Sequence, residues 1–298
     1  MTTTSQPGAA AQPTRVPEPR PRPSDPEPAQ SAARRALLRA IGRSLLTFLG
    51  TLVTVVVIWW GAIVLLDLSS YVAKSPLDVV QFLFTEPDAA ENRAVVMDAL
   101  GITLNHAFIG FVTGLVAAVV GAVLFVLFRP VEQTLMPVAM LLRSVPLIAM
   151  APVIIMIFGR GVATVAVIGG IVVVFPALVN VVAGLKAAPP ALHDVVEVYG
   201  GSSWAMVRKV SIPAAMPSLF ASIRISVPGA ITGALLAEWL ATGDGLGGTI
   251  NRAASQVQFD LLWAGVVVVT LAALALYALA QVVENLVLAQ LGMLRPGR

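Results

Sequence analysis

The stretch NHAFIGFVTGLVAAVVGAVLFVLF, residues 105–128, contains no Asp, Glu, Lys or Arg. A helix rises about 1.5 Å per residue, so about 20 apolar residues cross the hydrocarbon core of a bilayer. Lipid offers the peptide groups no hydrogen-bond partner, so a segment of this kind spans as a helix that satisfies its own backbone. Gly110, Gly114, Ala118 and Gly121 recur at three- and four-residue spacing. That spacing lets a second helix backbone come close, which is how spans pack where lipid supplies no hydrophobic drive.

Similar runs appear on either side, near Ser44–Leu66, Val131–Phe158, Val162–Gly184, Ile223–Ala241 and Leu261–Leu288. The whole chain is 57% hydrophobic and 12% charged, with a mean hydropathy of +0.87. Soluble domains carry about a quarter charged residues. The fold class expected is therefore an all-α, polytopic membrane protein of about six transmembrane helices. The run at Val131–Phe158 is interrupted by Pro137, Arg143, Pro146 and Pro152, and reads either as one kinked helix or as two shorter pieces.

Residues 1–33 are dense in proline from Pro7 to Pro28 and lack apolar periodicity, which reads as a disordered tail. Residues 34–298 form the expected membrane domain. Of the 19 Lys and Arg residues, only Lys74, Arg93, Arg160 and Arg252 fall outside if the N-terminus is cytoplasmic and there are six spans. Basic residues concentrate in cytoplasmic loops, so both termini are expected to be cytoplasmic in a multi-pass cell (inner) membrane protein. The chain has no cysteine and two histidines, His106 and His193. Disulfides and thiolate metal sites are thereby excluded, and no metal cluster or cofactor site is legible. No folded stretch gathers the basic patch that nucleic acid requires.

Between the fourth and fifth runs lies a polar, patterned segment, residues 185–222. Pro189 and Pro190 suit the opening of a helix, expected over Ala191–Tyr199 with Asp194 near its positive end. Gly200-Gly201 breaks it. Ser202 or Ser203 caps a second short helix from Trp204 to Val210, which Pro213 and Pro217 are expected to stop. The pair would expose Tyr199, Trp204, Met206 and Val207. These side chains either seat in a protein partner or lie against membrane lipid, with Arg208 and Lys209 at lipid phosphates.

This segment resembles the cytoplasmic loop of inner-membrane permeases of binding-protein-dependent ABC importers. The matching residues are Asp194-Val195-Val196, Gly200 and Val210-Ser211-Ile212-Pro213. Asp and two valines stand where that family has Glu-Ala-Ala. Leu142-Arg143-Ser144-Val145-Pro146, Ala151-Pro152, Phe158-Gly159, Ala237-Glu238-Trp239 and Gly245-Leu246-Gly247 are similar to the sulfonate, nitrate and taurine-type subfamily. The resemblance runs from about Asp98 to Glu284.

It implies a permease paired with a second permease copy, identical or related, two cytoplasmic ATPase subunits and an extracytoplasmic solute-binding protein. The loop would be a coupling helix docked on the ATPase, with Asp194, Tyr199, Gly200, Trp204, Met206, Ile212 and Pro213 as its residues. It also implies a small anionic or heterocyclic solute, such as a sulfonate, nitrate, taurine or vitamin precursor. The chain itself should not hydrolyse ATP, because none of Lys74, Lys186 and Lys209 lies in a phosphate-cradling glycine loop.

Ionisable and amide groups at membrane depth mark candidate path positions: Arg143, which either lines the inner vestibule or meets lipid headgroups, Asn180 and Glu238. Glu238 either faces the path, snorkels to the interface, or pairs with Arg160 or Arg252. Asn180 serves equally for bonds between helices. A transporter driven by an ion gradient, the alternative class, would carry midplane sites for its coupling ion, and these are nearly absent.

Overall fold

A computed structural model describes residues 29–292. The proline-rich segment before Ala29 and the arginines Arg295 and Arg298 lie outside the described residues. The first helix, α1 (Ala29–Leu65), begins inside the stretch read from sequence as tail. It is followed by α2 (Pro76–Phe84), α3 (Ala89–Leu127), α4 (Arg129–Ser144), α5 (Leu147–Phe158) and α6 (Val162–Leu185). Then come α7 (Pro190–Val198), α8 (Ser203–Met206), α9 (Ile212–Ala237), α10 (Gly245–Ser255) and α11 (Phe259–Gln290). No strand occurs among the described residues.

Helix α3, α6, the continuous rod from Ser203 to Thr242, and α11 are each long and apolar enough to cross a membrane, and α4 with α5 forms a fifth, bent candidate. Helix α1 contributes the shorter apolar stretch Leu49–Leu65. With 39 residues, α3 is about 58 Å long at 1.5 Å per residue, more than a bilayer core requires. Its first turns pack on α2, where Val79 and Leu83 meet Val96 and Ala99 in one apolar cluster. The apolar run beginning at Asn105 therefore marks only the later part of the helix.

The centre of the bundle is a contact of three backbones. A Cβ built on Gly110 of α3 would stand 2.8 Å from the Cα of Gly169 in α6, and one on Gly233 of α9 would stand 2.8 Å from that same Cα. One turn along, a Cβ on Gly114 would lie 2.7 Å from the carbonyl oxygen of Gly170. Two apolar clusters extend this contact in opposite directions. One includes Val173, Ile231, Leu246 and Val268, the other Ala118, Ala122, Val181 and Leu185.

Between α4 and α5 the chain turns by 104°. Pro146 forces its predecessor out of the helical region, and Val145 is accordingly extended, with φ −73° and ψ 125°. The interrupted third run is thus two pieces. At the α2 end of the bundle, Ser75 and Asp78 form a reciprocal cap, Ser75 N donating to Asp78 Oδ2 at 2.8 Å and Asp78 N to Ser75 Oγ at 3.3 Å. Trp263 of α11 donates its indole N–H to the Val72 carbonyl at 2.8 Å and stacks on Trp59 of α1 at 5.3 Å between ring centroids.

The three-backbone contact makes a sharp expectation. Gly169→Ala should lower stability by ~1–3 kcal/mol or more, because backbone rather than a yielding side chain meets the added methyl. Gly101→Ala, on the same α3 but with nothing within 4 Å of the added Cβ, should be neutral or slightly stabilising. Thermal challenge followed by size-exclusion chromatography in detergent reads both. Equal survival of Gly169→Ala and the parent would refute the close contact.

Candidate functional site

Two constellations stand at opposite ends of α9. The first is the loop between α6 and α9. Pro190 occupies the first turn of α7, where its missing N–H costs nothing. Gly200 ends that helix with φ +72°, a left-handed conformation that favours glycine. Ser202 caps the next turn, its hydroxyl accepting from Ala205 N at 3.2 Å, so the sequence had located the right pair of serines.

Beyond Met206 the chain departs from expectation. Pro213 and Pro217 do not stop the second helix. Residues Val207–Ser211 form a π-turn, and α9 follows without a break. Pro213 sits in the first turn of α9 and Pro217 within it. The wide turn closes just before Pro213, which falls in a first turn of α9 where its missing N–H is tolerated, and Pro217 is carried inside the regular helix. Helix α8 is therefore the tip of the same rod that crosses the bundle.

The predicted loop residues divide by exposure. Tyr199 is 87% exposed and Trp204 55%, and Asp194, Gly200, Ile212 and Pro213 are also exposed. Met206 is half-buried. Val207, expected to be exposed, is only 2% so, because it turns inward with Ser211 at the root of the rod. Beside them a cavity of about 680 Å³ is walled by residues including Arg129, Glu132, Lys186, Glu197 and Ser202. Lys186 and Glu132 pair across it, tying the end of α6 to the start of α4.

The second constellation surrounds Glu238, which is fully buried. It opens the π-turn Glu238–Thr242 that ends α9. Its Oε2 accepts from the Gly247 backbone N at 2.8 Å and from the Thr103 hydroxyl at 2.9 Å. Its Oε1 lies 2.9 Å from Nδ1 of His106. The Thr103 hydroxyl oxygen in turn accepts from Leu246 N at 2.8 Å. Three elements, α3, the end of α9 and α10, therefore converge on one carboxylate. A Cβ on Gly245 would stand 2.3 Å from the carboxyl carbon of Glu238, so the start of α10 folds directly over it.

The alternatives read from sequence for Glu238 included pairing with Arg160 or Arg252. Its partners are instead His106, Thr103 and Gly247, while Arg252 donates to the Gly243 carbonyl and to Thr249. Neither Thr103 nor His106 is marked by any local sequence pattern as a partner of Glu238. The available signal was that His106 is the one histidine in the second apolar run and Glu238 the one carboxylate in the fifth. Of the other path candidates, Asn180 is half-buried in α6 and Arg143 is exposed at the end of α4. Arg143 lines a cavity of about 400 Å³ with Ser144, Val145, Pro146 and Phe175. No group of three or more His, Cys, Asp or Glu suited to a metal occurs among the described residues.

The family described as the binding-protein-dependent transport system inner membrane component matches residues 110–289, from the three-backbone contact to the end of α11. The chain belongs to that family. The permease is 28% identical over 220 residues to a probable ABC transporter permease protein of Haemophilus influenzae, covering 74% of this chain and 87% of the relative. It is 29% identical to the riboflavin transport system permease protein RibX of Chloroflexus aurantiacus, covering 79% and 87%. With the taurine transport system permease protein TauC of Escherichia coli it shares 25% identity over 79% and 86%.

Among solved structures, it resembles a chain of an alginate ABC importer with a TM-score of 0.57 and 14% identity, covering 84% of this chain and 98% of that one. A chain of the MetNI methionine transporter matches with a TM-score of 0.51 and 21% identity, over 71% and 100%. These structural likenesses bear on the fold. Family membership makes the chain the membrane-spanning permease subunit of an ABC importer, one that works with a substrate-binding protein and leaves ATP hydrolysis to a separate ATPase.

Replacing Glu238 tests the second constellation. Glu238→Ala leaves the Gly247 N–H and His106 buried without their partner, with the Thr103 hydroxyl keeping only the Ala99 carbonyl at 3.1 Å, and should cost ~3 kcal/mol or more. Glu238→Gln should retain most of the stability. Its amide oxygen can replace Oε2, while its NH2 faces an imidazole free to adopt the other tautomer. Thermal stability in detergent separates the two, and equal losses would refute a stabilising role for the hydrogen bonds accepted by Oε2.

Proposed function

We propose that the loop of residues 185–222 is a coupling element on the cytoplasmic face, with Tyr199 and Trp204 seated in the ATPase and Gly200 setting the angle between its two helices. The exposure of those two aromatic rings carries this reading, Trp204 at the tip of a rod continuous with α9 and Tyr199 at the end of α7, across the Gly200 break. Aromatic side chains of this kind supply the buried centre of protein contacts. A rod without a flexible joint moves as one piece, so displacement of the tip by the ATPase would tilt α9 against α3 and α6. Asp194, Met206, Ile212 and Pro213 belong to the same element, Met206 bracing it from within.

In this reading residues 34–298 are the permease domain and both termini face the cytoplasm, as the distribution of basic residues favours. Two permease copies, identical or closely related, enclose the solute path. Arg143 and Asn180 are the path candidates. Arg143 stands at a break in a membrane helix beside a cavity, where irregular backbone is tolerated because it lines space rather than lipid. We assign Glu238 to holding α10 in place instead of meeting solute, because three donors already occupy its carboxylate.

The solute is a small anion or heterocycle. Relatives named for riboflavin, formylaminopyrimidine and taurine transport support that range.

Affinity purification of the tagged chain from its host's membranes tests the coupling element. The parent should carry a P-loop ATPase, identified by mass spectrometry. Gly200→Pro with Trp204→Ala should lose it while remaining folded, since proline cannot take a φ of +72°. Retention of the ATPase by the double variant would move the docking surface elsewhere. Absence of any ATPase from the folded parent, with uptake that follows an ion gradient, would favour the gradient-driven class instead.

A further inference from the structure

Helix α1 precedes the segment that matches the family. It packs against α11 and more lightly against α2. Along the α1–α11 seam, away from the Trp59–Trp263 stack, lies a cleft of about 260 Å³ lined by Arg43, Thr47, Thr51, Leu274, Tyr277, Ala278 and Gln281.

The depth of this cleft follows from helix geometry. The stacked Trp59 and Trp263 are of the type that settles at a membrane interface. From Trp263 to Gln281, α11 advances about 27 Å, and from Trp59 back to Arg43, α1 advances about 24 Å, at 1.5 Å per residue. The hydrocarbon core is about 30 Å thick. Arg43 and Gln281 therefore lie within about 6 Å of the opposite headgroup boundary, within reach of it for an arginine side chain, whereas Thr51, about 12 Å from Trp59, and Leu274, about 16.5 Å from Trp263, lie near the middle of the acyl region.

The chemistry of the lining is one-sided. No carboxylate lines the cleft among the described residues. The hydroxyls of Thr47 and Thr51 donate to the carbonyls of Arg43 and Thr47, both at 2.9 Å. The donors left to a ligand are the Arg43 guanidinium, the Gln281 amide and the Tyr277 phenol. The nearest acid along α11, Glu284, faces Arg224 at 3.3 Å, and that guanidinium lies 6.0 Å from the centre of the Tyr277 ring. A second positive charge thus backs the tyrosine, partly balanced by Glu284. An arginine fork matches a phosphate oxygen pair, and basic clefts between membrane helices at the headgroup level hold anionic lipid headgroups.

We propose that this cleft binds the phosphodiester headgroup of an anionic phospholipid from the leaflet on the N-terminal side of α1, with its acyl chain beside Thr51 and Leu274. Under the orientation proposed above that leaflet is the cytoplasmic one. The bound lipid fastens α1 to the permease core through Arg43 on one helix and Gln281 and Tyr277 on the other.

Native mass spectrometry of the full-length chain, released from detergent doped with equal amounts of phosphatidylglycerol and phosphatidylcholine, tests the site. The parent should retain phosphatidylglycerol over phosphatidylcholine. Arg43→Gln should reduce that retention about fivefold, whereas Arg160→Gln, an exposed cation elsewhere, should leave it unchanged. Excess inorganic phosphate should not displace the lipid. Should Arg43→Gln not fold, Gln281→Leu carries the same test with a smaller decrease. Equal retention of the two lipids, undiminished retention in the folded cleft variants, or displacement by inorganic phosphate would each overturn the proposal.

Discussion

The bundle depends on one steric condition: α3, α6 and α9 touch backbone to backbone at Gly110, Gly169 and Gly233. In lipid the hydrophobic effect does not press helices together, so dispersion between closely fitted surfaces must do so. Three glycines meeting at one level give that fit. Once these axes are set, the remaining helices have little freedom. Helix α11 packs against α9 and α10, the N-terminal half of α3 receives α2, and α5 leans on α6 through Ala151, Ile154 and Ile168.

From that contact the two functional ends diverge along a single element. Helix α9 is bounded by π-turns, Val207–Ser211 at one end and Glu238–Thr242 at the other. A π-turn frees backbone geometry from the regular ladder without breaking the helix. At one end the turn joins the rod to the exposed loop tip, with Pro213 in the first turn beyond it. At the other it delivers the Glu238 carboxylate to donors on α3 and α10. The loop tip is thus joined mechanically to the far end of the bundle, where a buried carboxylate keeps α10 against α3. In the coupling role proposed for the loop, such a rigid connection would carry displacement of the tip across the bundle.

The loop was largely legible in the residues, because its signals are local. Pro190, Gly200 and Ser202 act on the backbone within a few positions of themselves, and their helix starts and stops fall where propensity places them. The errors were also local signals, overruled by packing. Pro217 looks like a stop, yet a bundle that encloses the helix tolerates the lost bond. Val207 looks like part of an exposed stripe, but the π-turn shifts the periodicity and rotates it inward. The network at Glu238 was not legible in that sense. A partner more than 130 residues away leaves no spacing to read, and a carboxylate with three donors looks the same in sequence as one with none.

The all-helical membrane architecture, the family and the position of the loop are legible along the chain. Composition, run length and local capping chemistry suffice for these. Only the tertiary structure decided that the third run is two helices at 104°, that the loop helix and α9 are one rod, and which groups surround Glu238. It also decided that Arg43 and Gln281 share a cleft. These are properties of how helices approach one another, set by side-chain volume and hydrogen-bond geometry between segments far apart along the chain, which no local pattern encodes.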